Sequence, residues 1–233
     1  MIPRVSSIVR LFRTPLGRWP NKFHNAVRRR KNRILDMRFA GMSLGPERIP
    51  SRYSQAGAYG HVPTDVSALK YIFRQYRIQP DDVLVDVGCG KGRVIAWWLN
   101  RGYRNRMIGV ELDEEMAEFA RDVFSGFDNV TIIQGNIIDL MPEDGNVFYL
   151  FNPFDEKTMG GFLGGIKERS KNQLENQQST DNGRRDTVVL YYFPVHLDVF
   201  NNDPTCLVEE LRQPCWERFR PNRMKCALIR MKT

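Results

Sequence analysis

The sequence predicts an α/β fold built on an open, doubly wound, mostly parallel sheet. Short apolar runs alternate with amphipathic segments from Thr64 onward, and the connections between them are short. This alternation implies right-handed crossovers, which place parallel strands side by side with helices on both faces. The chain has 233 residues, of which 42% are hydrophobic, and this is enough for one well-buried core with an appendage.

The first predicted helix begins after Thr64 or Asp65, either of which can cap it, and ends near Tyr76. Val83–Val87 is predicted to be a strand buried on both faces, and a helix follows through about Leu99. The next predicted elements are the strand RMIGVEL (106–112), the helix DEEMAEFARDVF (113–124), the strand NVTIIQGN (129–136) and the strand NVFYLFNPF (146–154).

The C-terminal part of the chain adds one more buried strand and a hairpin. A helix is predicted from Thr158, continuing for a turn or two into the polar stretch 167–186, which then becomes a loop. TVVLYYF (187–193) is the next strand. CLVEEL (206–211) and MKCALIRM (224–231) are the last two strand candidates, and RPN between them favours a hairpin.

The net charge of +8 is concentrated at the N-terminus. Residues 1–52 hold 13 basic and two acidic side chains, a net charge of +11, whereas residues 53–233 hold 22 basic and 25 acidic side chains, a net charge of −3. The chain is therefore predicted to have a basic N-terminal arm (1–52), partly helical or disordered, and an α/β domain (53–233).

The arm has the pattern of an amphipathic cationic helix. Its apolar residues at helical spacing are Ile2, Val5, Ile8, Val9 and Phe12, and the arginines between them are Arg4, Arg10 and Arg13. RRRKNR follows at 28–33. This composition fits a helix on an anionic membrane surface, an organellar targeting sequence, an RNA-binding segment or a solvated basic tail.

No apolar run reaches the ~18 residues of a membrane-spanning helix, so we expect a cytoplasmic protein, peripheral to a membrane if the arm binds lipid, or a mitochondrial one if the arm is a targeting sequence. The four cysteines lack the paired spacing of a zinc site. We therefore predict no metal site and a reducing compartment.

The stretch VLVDVGCGKGRV places Gly88, Gly90 and Gly92 directly after the first buried strand. Glycine leaves room for a ligand beside the backbone and adopts backbone angles that other residues avoid. A nucleotide pyrophosphate is bound by GxGxxG spacing, but here the third glycine comes one place early and Arg93 occupies the position that this spacing requires. The pattern is GxGxG, preceded by Asp86 at the strand end.

The acid at Asp86 predicts the charge of the ligand, because a carboxylate repels phosphate but binds an ammonium group directly or through water. Glu111, at the end of the second strand, is placed to accept hydrogen bonds from ribose hydroxyls. Asn136, after the third strand, can face an adenine edge, and Ile137 can stack on the ring. Ammonium, ribose and adenine together describe S-adenosyl-L-methionine.

DVGCGKG (86–92), Glu111 and GNI (135–137) resemble the cofactor motifs of class I S-adenosylmethionine-dependent methyltransferases. The resemblance extends from about Val62 to Met231 and implies a Rossmann-like sheet of seven strands with the last antiparallel. It departs from the pattern at Asn136, where most relatives carry Asp. The cofactor-binding residues that it implies are Asp86, Gly88, Cys89, Gly90, Gly92, Glu111, Asn136 and Ile137.

FNPF at the end of the fourth strand resembles the [Asn/Asp/Ser]-Pro-Pro-[Tyr/Phe/Trp] motif of methyltransferases that modify nitrogens, without the second proline. The resemblance implies that the Asn152 side chain and the Pro153 carbonyl accept hydrogen bonds from the target amino group, and that Phe154 packs against the target. The alternative is a strand end turned by proline, with two core aromatics. Asp155 could accept a proton or cap the next helix.

GAYGHVPTD (57–65) resembles the lid loop of seven-strand lysine methyltransferases. The resemblance implies that Tyr59 and Thr64 reach the carboxylate end of the cofactor, although Tyr59 could equally be a packing residue and Thr64 a helix cap. A single loop histidine such as His61 is more often structural than catalytic.

We therefore expect a methyltransferase that acts on a nitrogen of a protein lysine, another amine or a nucleobase. The alternatives are a nucleotide-binding oxidoreductase and a non-catalytic α/β nucleotide-binding adaptor tethered by its basic arm. The expected partners are the methyl acceptor and, through the arm, RNA or an anionic membrane, and the protein is expected to be a monomer. If the arm binds phosphates, removing residues 1–45 should abolish salt-sensitive binding to RNA or anionic vesicles and leave cofactor affinity intact.

Overall fold

A computed structural model describes residues 19–45, 62–176, 186–212 and 225–232. The helices are α1 (Trp19–Ala40), α2 (Val66–Gln75), α3 (Arg93–Asn100), α4 (Glu114–Phe124), α5 (Glu156–Asn176) and α6 (Asp198–Asn201). The strands are β1 (Leu84–Val87), β2 (Met107–Glu111), β3 (Val130–Gln134), β4 (Val147–Phe151), β5 (Val188–Tyr192), β6 (Cys206–Glu210) and β7 (Cys226–Met231).

The strands form one seven-stranded sheet in the order β3-β2-β1-β4-β5-β7-β6. The strands β1 to β5 pair with one another in parallel, whereas β7 is antiparallel to both of its neighbours, β5 and β6. The seven-stranded, mostly parallel fold that the sequence predicts is therefore confirmed. The strand order reverses between β1 and β4, and in open α/β sheets ligands bind in the crevice at such a reversal.

Helices cover both faces of the sheet because the strand residues alternate in direction. Leu84 packs in the cluster that includes Leu69 of α2 and Trp98 of α3. Val85, its neighbour, packs in the opposite cluster with Phe162 of α5 and with α6 residues. Nearly every residue of β1, β2, β4 and β5 is buried, which explains why these strands appear in the sequence as continuous apolar runs.

Side chains predicted from the sequence define two helix starts. The Asp65 carboxylate accepts a hydrogen bond from the Ser67 amide at 3.0 Å. Of the two predicted caps of α2, Thr64 and Asp65, Asp65 is therefore the one observed. Asp155 caps α5 by accepting a hydrogen bond from the Thr158 amide at 2.9 Å. Helix α5 begins two residues before the predicted start at Thr158 and extends to Asn176, and residues 177–185 lie outside the described part.

The predicted C-terminal hairpin strands pair as expected. Strands β6 and β7 are antiparallel, with Cys206 opposite Met231 and Glu210 opposite Ala227. The residues that connect them, 213–224, are outside the described ranges.

Helix α1 packs on the α/β core. The Arg28 guanidinium forms an ion pair with Asp65, the Asn32 side-chain oxygen accepts a hydrogen bond from the Val66 amide at 3.0 Å, and Leu35 is buried in the core. Within the described residues, no helix is long and apolar enough to cross a membrane. Residues 1–18 lie outside the described part, and the division of the chain at residue 52 stays a prediction.

Candidate functional site

The predicted cofactor and acceptor residues lie along one edge of the sheet. Asp86 is the third residue of β1, Glu111 ends β2, Asn136 lies two residues after β3, and Asn152 directly follows β4. Because these four strands are parallel neighbours, their carboxyl ends meet at the same edge. The reversal of strand order between β1 and β4 puts the glycine turn and the FNPF motif on either side of one crevice.

The glycine turn requires glycine at each of the predicted positions. Gly88, Gly90 and Gly92 have φ angles of 71°, 53° and 82°, in the left-handed region that side chains disfavour. A Cβ on Gly92 would also lie 2.3 Å from the Phe124 ring of α4. The turn is anchored to β2, because the Gly88 and Cys89 amides both donate hydrogen bonds to the Val110 carbonyl, at 2.8 and 3.1 Å.

Cys89 contributes backbone to the turn and its side chain to the core. Its thiol is buried, and the sulfur lies 2.8 Å from where a Cβ on Gly109 would be. Burial raises the pKa of this thiol well above its usual value, and the nearby Asp86 and Glu111 charges add to the effect. The Cys89 side chain is therefore a packing group, and contact of this residue with a cofactor stays a prediction.

Asp86 is a buried carboxylate with an unused hydrogen-bonding atom. Its side chain is only 3% exposed, and its Oδ2 has no hydrogen-bond partner among the described residues. Burial raises the pKa of Asp86 well above the ordinary range, with a further contribution from the Glu111 charge. A buried carboxylate oxygen without a partner is costly to the fold. This one fits a cationic or hydrogen-bond-donating ligand group and opposes a phosphate.

Glu111 connects the glycine turn to the end of β2. Its Oε2 accepts a hydrogen bond from the Gly90 amide at 2.7 Å, and its Oε1 accepts one from the Asp113 amide at 2.9 Å. Burial raises the pKa of Glu111, while these two hydrogen bonds lower it in part. Each carboxylate oxygen has a second lone pair, so the two oxygens can still accept one hydrogen bond each from two hydroxyl groups.

The turn after β3 is also anchored to β2. The Gly135 amide donates a hydrogen bond to the Glu111 carbonyl at 2.8 Å. The Asn136 side-chain oxygen accepts a hydrogen bond from the Ile138 amide at 3.1 Å, which leaves its NH₂ group as the donor. Ile137 is 3% exposed and packs in the α5-side core cluster, so its predicted stacking on a ligand stays a prediction.

Asn152 adopts a strained backbone at the end of β4. Its φ angle is 40°, and its side-chain oxygen accepts a hydrogen bond from the Tyr191 hydroxyl at 2.8 Å. A Cβ on Gly88 would lie 3.2 Å from Pro153 Cβ, so this motif directly contacts the glycine turn. Non-glycine residues with positive φ cost about 1–3 kcal/mol and cluster at functional sites.

Phe154 makes a core contact. Its ring is buried and packs against Phe162 of α5, with ring centroids 6.0 Å apart, as in the core-aromatic alternative, and its contact with the target stays a prediction. Asp155 caps α5, and the hydrogen bond from the Thr158 amide lowers the pKa of its carboxyl group. Of its two predicted roles, the structure displays the cap.

Strand β5 contributes residues to this edge that the sequence did not single out. Phe193, directly after β5, is the other non-glycine residue with positive φ in the described part of the chain, at 52°. The Tyr191 hydroxyl that binds Asn152 also accepts a hydrogen bond from the His196 amide at 3.3 Å. A tyrosine in a strand gives no sequence signal of a partner 39 positions away, which is why Tyr191 was missed.

The predicted lid is only partly described. The Thr64 hydroxyl is buried and lies 3.0 Å from the Tyr149 hydroxyl of β4, which places it on the sheet face that Asp86 shares. Tyr59 and His61 lie outside the described residues. The reach of Tyr59 and Thr64 to a cofactor stays a prediction.

Arg93 links the glycine turn to helix α1. It is the first residue of α3, and its guanidinium is held by the buried Asp36 carboxylate through two hydrogen bonds of 2.8 and 2.6 Å. Its remaining nitrogen lies 3.5 Å from the Pro63 and Thr64 carbonyl oxygens. Asp36 and Arg93 therefore join α1, the segment before α2 and the helix that starts at the turn.

Residues 84–155 match the protein family described as a methyltransferase domain. This range contains β1 to β4 and every predicted site residue except Tyr59 and Thr64. The chain is 23% identical over 122 residues to a protein-lysine N-methyltransferase of Saccharolobus islandicus, covering 50% of this chain and 68% of that protein. It is 31% identical over 77 residues to ribosomal RNA small subunit methyltransferase A of Geobacter sulfurreducens, covering 33% of this chain and 27% of that protein.

Among solved structures, an O-methyltransferase from Bacillus cereus in complex with SAH has the same fold, with a TM-score of 0.52 and 14% identity. The likeness covers 71% of this chain and 81% of that one. The fold, the glycine turn beside the unsatisfied Oδ2 of Asp86, and the family match favour an enzyme over the adaptor and the oxidoreductase. The chain has the fold of the class I, Rossmann-like methyltransferases, and its residues 84–155 match a methyltransferase domain, which indicates an enzyme that uses S-adenosyl-L-methionine.

Proposed function

We propose that this methyltransferase transfers the methyl group to a nitrogen, in a protein lysine, another amine or a nucleobase. The observation that carries the proposal is the position of Asn152, held in a strained conformation at the β4 end, next to the glycine turn. Strain of this kind is retained where the surrounding contacts enforce it, and here the Tyr191 hydroxyl holds the side-chain oxygen.

The cofactor would be held by the residues of the glycine edge. We assign the ammonium group to Asp86, the ribose hydroxyls to Glu111 and the adenine edge to Asn136, whose NH₂ group is the donor left by its turn. Gly88, Gly90 and Gly92 would leave room for the cofactor beside the backbone, and Cys89 would hold the turn in place through its hydrogen bond to the Val110 carbonyl. The bound cofactor supplies an activated methyl group on a sulfonium.

The acceptor nitrogen would be aligned by Asn152 and Pro153. An amino group that donates hydrogen bonds to the Asn152 side-chain oxygen and the Pro153 carbonyl has its lone pair fixed in direction. Such alignment contributes up to about 7–11 kcal/mol in well-oriented reactions. Tyr191 would act as a positioning residue, because its hydroxyl fixes the carboxamide while leaving the second lone pair of the oxygen for the acceptor.

Proton removal precedes the transfer for an amine acceptor. A protonated lysine, with a pKa of about 10.4, has no lone pair to attack, so the acceptor must bind as the neutral amine or lose its proton at the site. Asp155 is a weak base for this step, because the hydrogen bond from the Thr158 amide lowers its pKa. The proton therefore leaves to solvent, and transfer to an amine should accelerate as the pH rises.

One relative supports a nitrogen acceptor by its name, the protein-lysine N-methyltransferase of Saccharolobus islandicus. The other is a ribosomal RNA methyltransferase, which keeps RNA among the acceptor pools to be tested.

The proposal is tested by transfer of labelled methyl groups from S-adenosylmethionine into cell lysate, separated into protein, RNA, lipid and metabolite pools. Asn152→Ala should lower incorporation by about 10²-fold or more, as loss of an oriented acceptor does, with cofactor affinity unchanged. Tyr191→Phe removes one hydrogen bond worth about 1 kcal/mol and should lower incorporation roughly fivefold.

Asn172→Ala, an exposed site on α5, is the matched control and should retain wild-type incorporation. Chemical analysis of the labelled product identifies the acceptor atom. Label on oxygen or carbon, or full incorporation by Asn152→Ala, would contradict the proposal.

A further inference from the structure

The outer face of helix α1 combines cationic and aliphatic side chains. Arg30, Arg33, Ile34 and Met37 are spaced at i, i+3, i+4 and i+7, so they lie on one side of the helix. All four are exposed, with Ile34 61% and Met37 47% accessible to solvent. We call these four residues the outer face of α1.

This face is exposed although the helix is docked. The opposite side of α1 carries Leu35 and Asp36, which are buried against the core, and Arg28 and Asn32, which bind the start of α2. Ile34 and Met37 are therefore exposed even though α1 is packed against the core. A partner that covers these aliphatic side chains is bound more tightly, because each Å² of apolar surface removed from water stabilises the complex by about 25 cal/mol.

The charge around the outer face has one sign. Arg29, Lys31 and Arg38 are exposed beside it. The single acid of α1, Asp36, is buried and bound by Arg93, and so does not offset the surface charge. A partner for this face must therefore be anionic and must also accept aliphatic side chains.

We propose that the outer face of α1 binds the surface of an anionic lipid membrane. The headgroups attract Arg30 and Arg33, while Ile34 and Met37 insert at the boundary between headgroups and acyl chains. RNA would satisfy the arginines but not the aliphatic pair, because RNA-binding surfaces stack bases on aromatic or guanidinium planes. The proposal does not depend on which nitrogen the enzyme methylates.

The test uses the full chain and vesicles of phosphatidylcholine, either alone or with about 30% phosphatidylglycerol, measured by co-sedimentation at low and high salt. The wild type should bind the anionic vesicles at low salt and not the neutral ones. Arg30→Glu with Arg33→Glu should weaken binding about 20-fold or more, since each basic residue contributes roughly a fivefold factor near such a surface. Ile34→Ser with Met37→Ser should weaken binding at unchanged charge.

Lys70→Glu with Arg74→Glu, two exposed positions on α2, is the matched charge control and should bind almost as the wild type does. Cofactor titration of every variant checks that it has folded. The proposal is overturned if the α2 control loses binding as much as the α1 variant, or if serines at positions 34 and 37 have no effect. It is also overturned if a short RNA, followed by fluorescence anisotropy, depends on positions 30 and 33 while vesicle binding does not.

Discussion

The Arg93 guanidinium and the Asp36 carboxylate form a buried two-hydrogen-bond ion pair across 57 positions of the sequence. Asp36 is fully buried, Arg93 is 5% exposed, and the Leu44 amide donates a third hydrogen bond to the same carboxylate at 3.0 Å. A buried pair whose acceptors are satisfied in this way tolerates the loss of neither partner, because the remaining charge has no water to solvate it.

Asp36→Asn should lower the free energy of unfolding by about 3–5 kcal/mol, since it leaves the Arg93 charge buried without a counter-charge. Urea denaturation followed by circular dichroism measures this change. Asp122→Asn, the same substitution at an exposed position on α4, should change the stability by less than about 0.5 kcal/mol. Equal effects of the two variants would show that the ion pair has no particular structural role.

Removal of residues 1–45 should weaken cofactor binding, contrary to the expectation from the sequence. The deletion takes away Asp36 and leaves Arg93 unpaired at the start of α3, immediately after the glycine turn. We expect at least a tenfold loss of affinity, about 1.4 kcal/mol, in calorimetric titration with S-adenosylhomocysteine. A chain that begins at residue 19 keeps α1 and should bind as the full chain does. Wild-type affinity in the chain that lacks residues 1–45 would contradict this prediction.

Cofactor affinity should rise with pH because Asp86 must be ionised to hold an ammonium group. Burial first, and the Glu111 charge second, raise the pKa of Asp86, so the empty site retains its proton to a higher pH than an ordinary carboxyl group does. Binding of a cation favours the carboxylate, lowers its pKa and releases a proton. The affinity therefore increases with pH below the raised pKa of Asp86 and no longer changes with pH above it.

Calorimetry in buffers of different ionisation enthalpy measures this proton release directly. Asp86→Asn should bind more weakly and should lose the pH dependence. Proton uptake on binding, or a pH profile that survives Asp86→Asn, would exclude this role for Asp86.

Gly92→Ala should destabilise the fold more than Gly102→Ala, although both glycines have nearly the same φ, 82° and 81°. A Cβ at Gly92 would lie 2.3 Å from the buried Phe124 ring, whereas nothing lies within 4 Å of one at Gly102. We expect a loss of about 2–5 kcal/mol at Gly92 and about 1–2 kcal/mol at Gly102 in thermal or urea unfolding. Equal losses would mean that the turn can move away from α4.

The sequence predicts those parts of the fold whose causes are local. The buried strands are continuous apolar runs, Asp65 stands directly before the residues that it caps, and Gly88 to Gly92 follow the first strand at the spacing of a tight turn. The edge of the sheet at which these residues gather follows from the parallel connections. For this reason the sequence alone predicts that the glycine turn, Asp86 and Glu111 lie together.

Contacts between distant segments could not be predicted in this way. Asp36 is one acid within a strongly basic helix, and nothing near it in the sequence identifies Arg93 as its partner. The Tyr191 hydroxyl likewise reaches Asn152 from a strand whose sequence shows only apolar character. The contact between the Phe154 and Phe162 rings has no local signal either, because the direction of α5 relative to the strand end depends on the whole fold.

The position of β7 within the sheet determines when the sheet can finish folding during synthesis. Residues 226–231 form the strand between β5 and β6, so those two strands have no direct contact with each other in the sheet. During synthesis, the hydrogen-bonding edge of β5 stays open until this segment has left the ribosome, and all five residues of β5 are ones that the finished protein buries. A nascent chain that stalls before Cys226 therefore exposes an unpaired strand edge that can pair with another chain, and we expect chaperones to bind it.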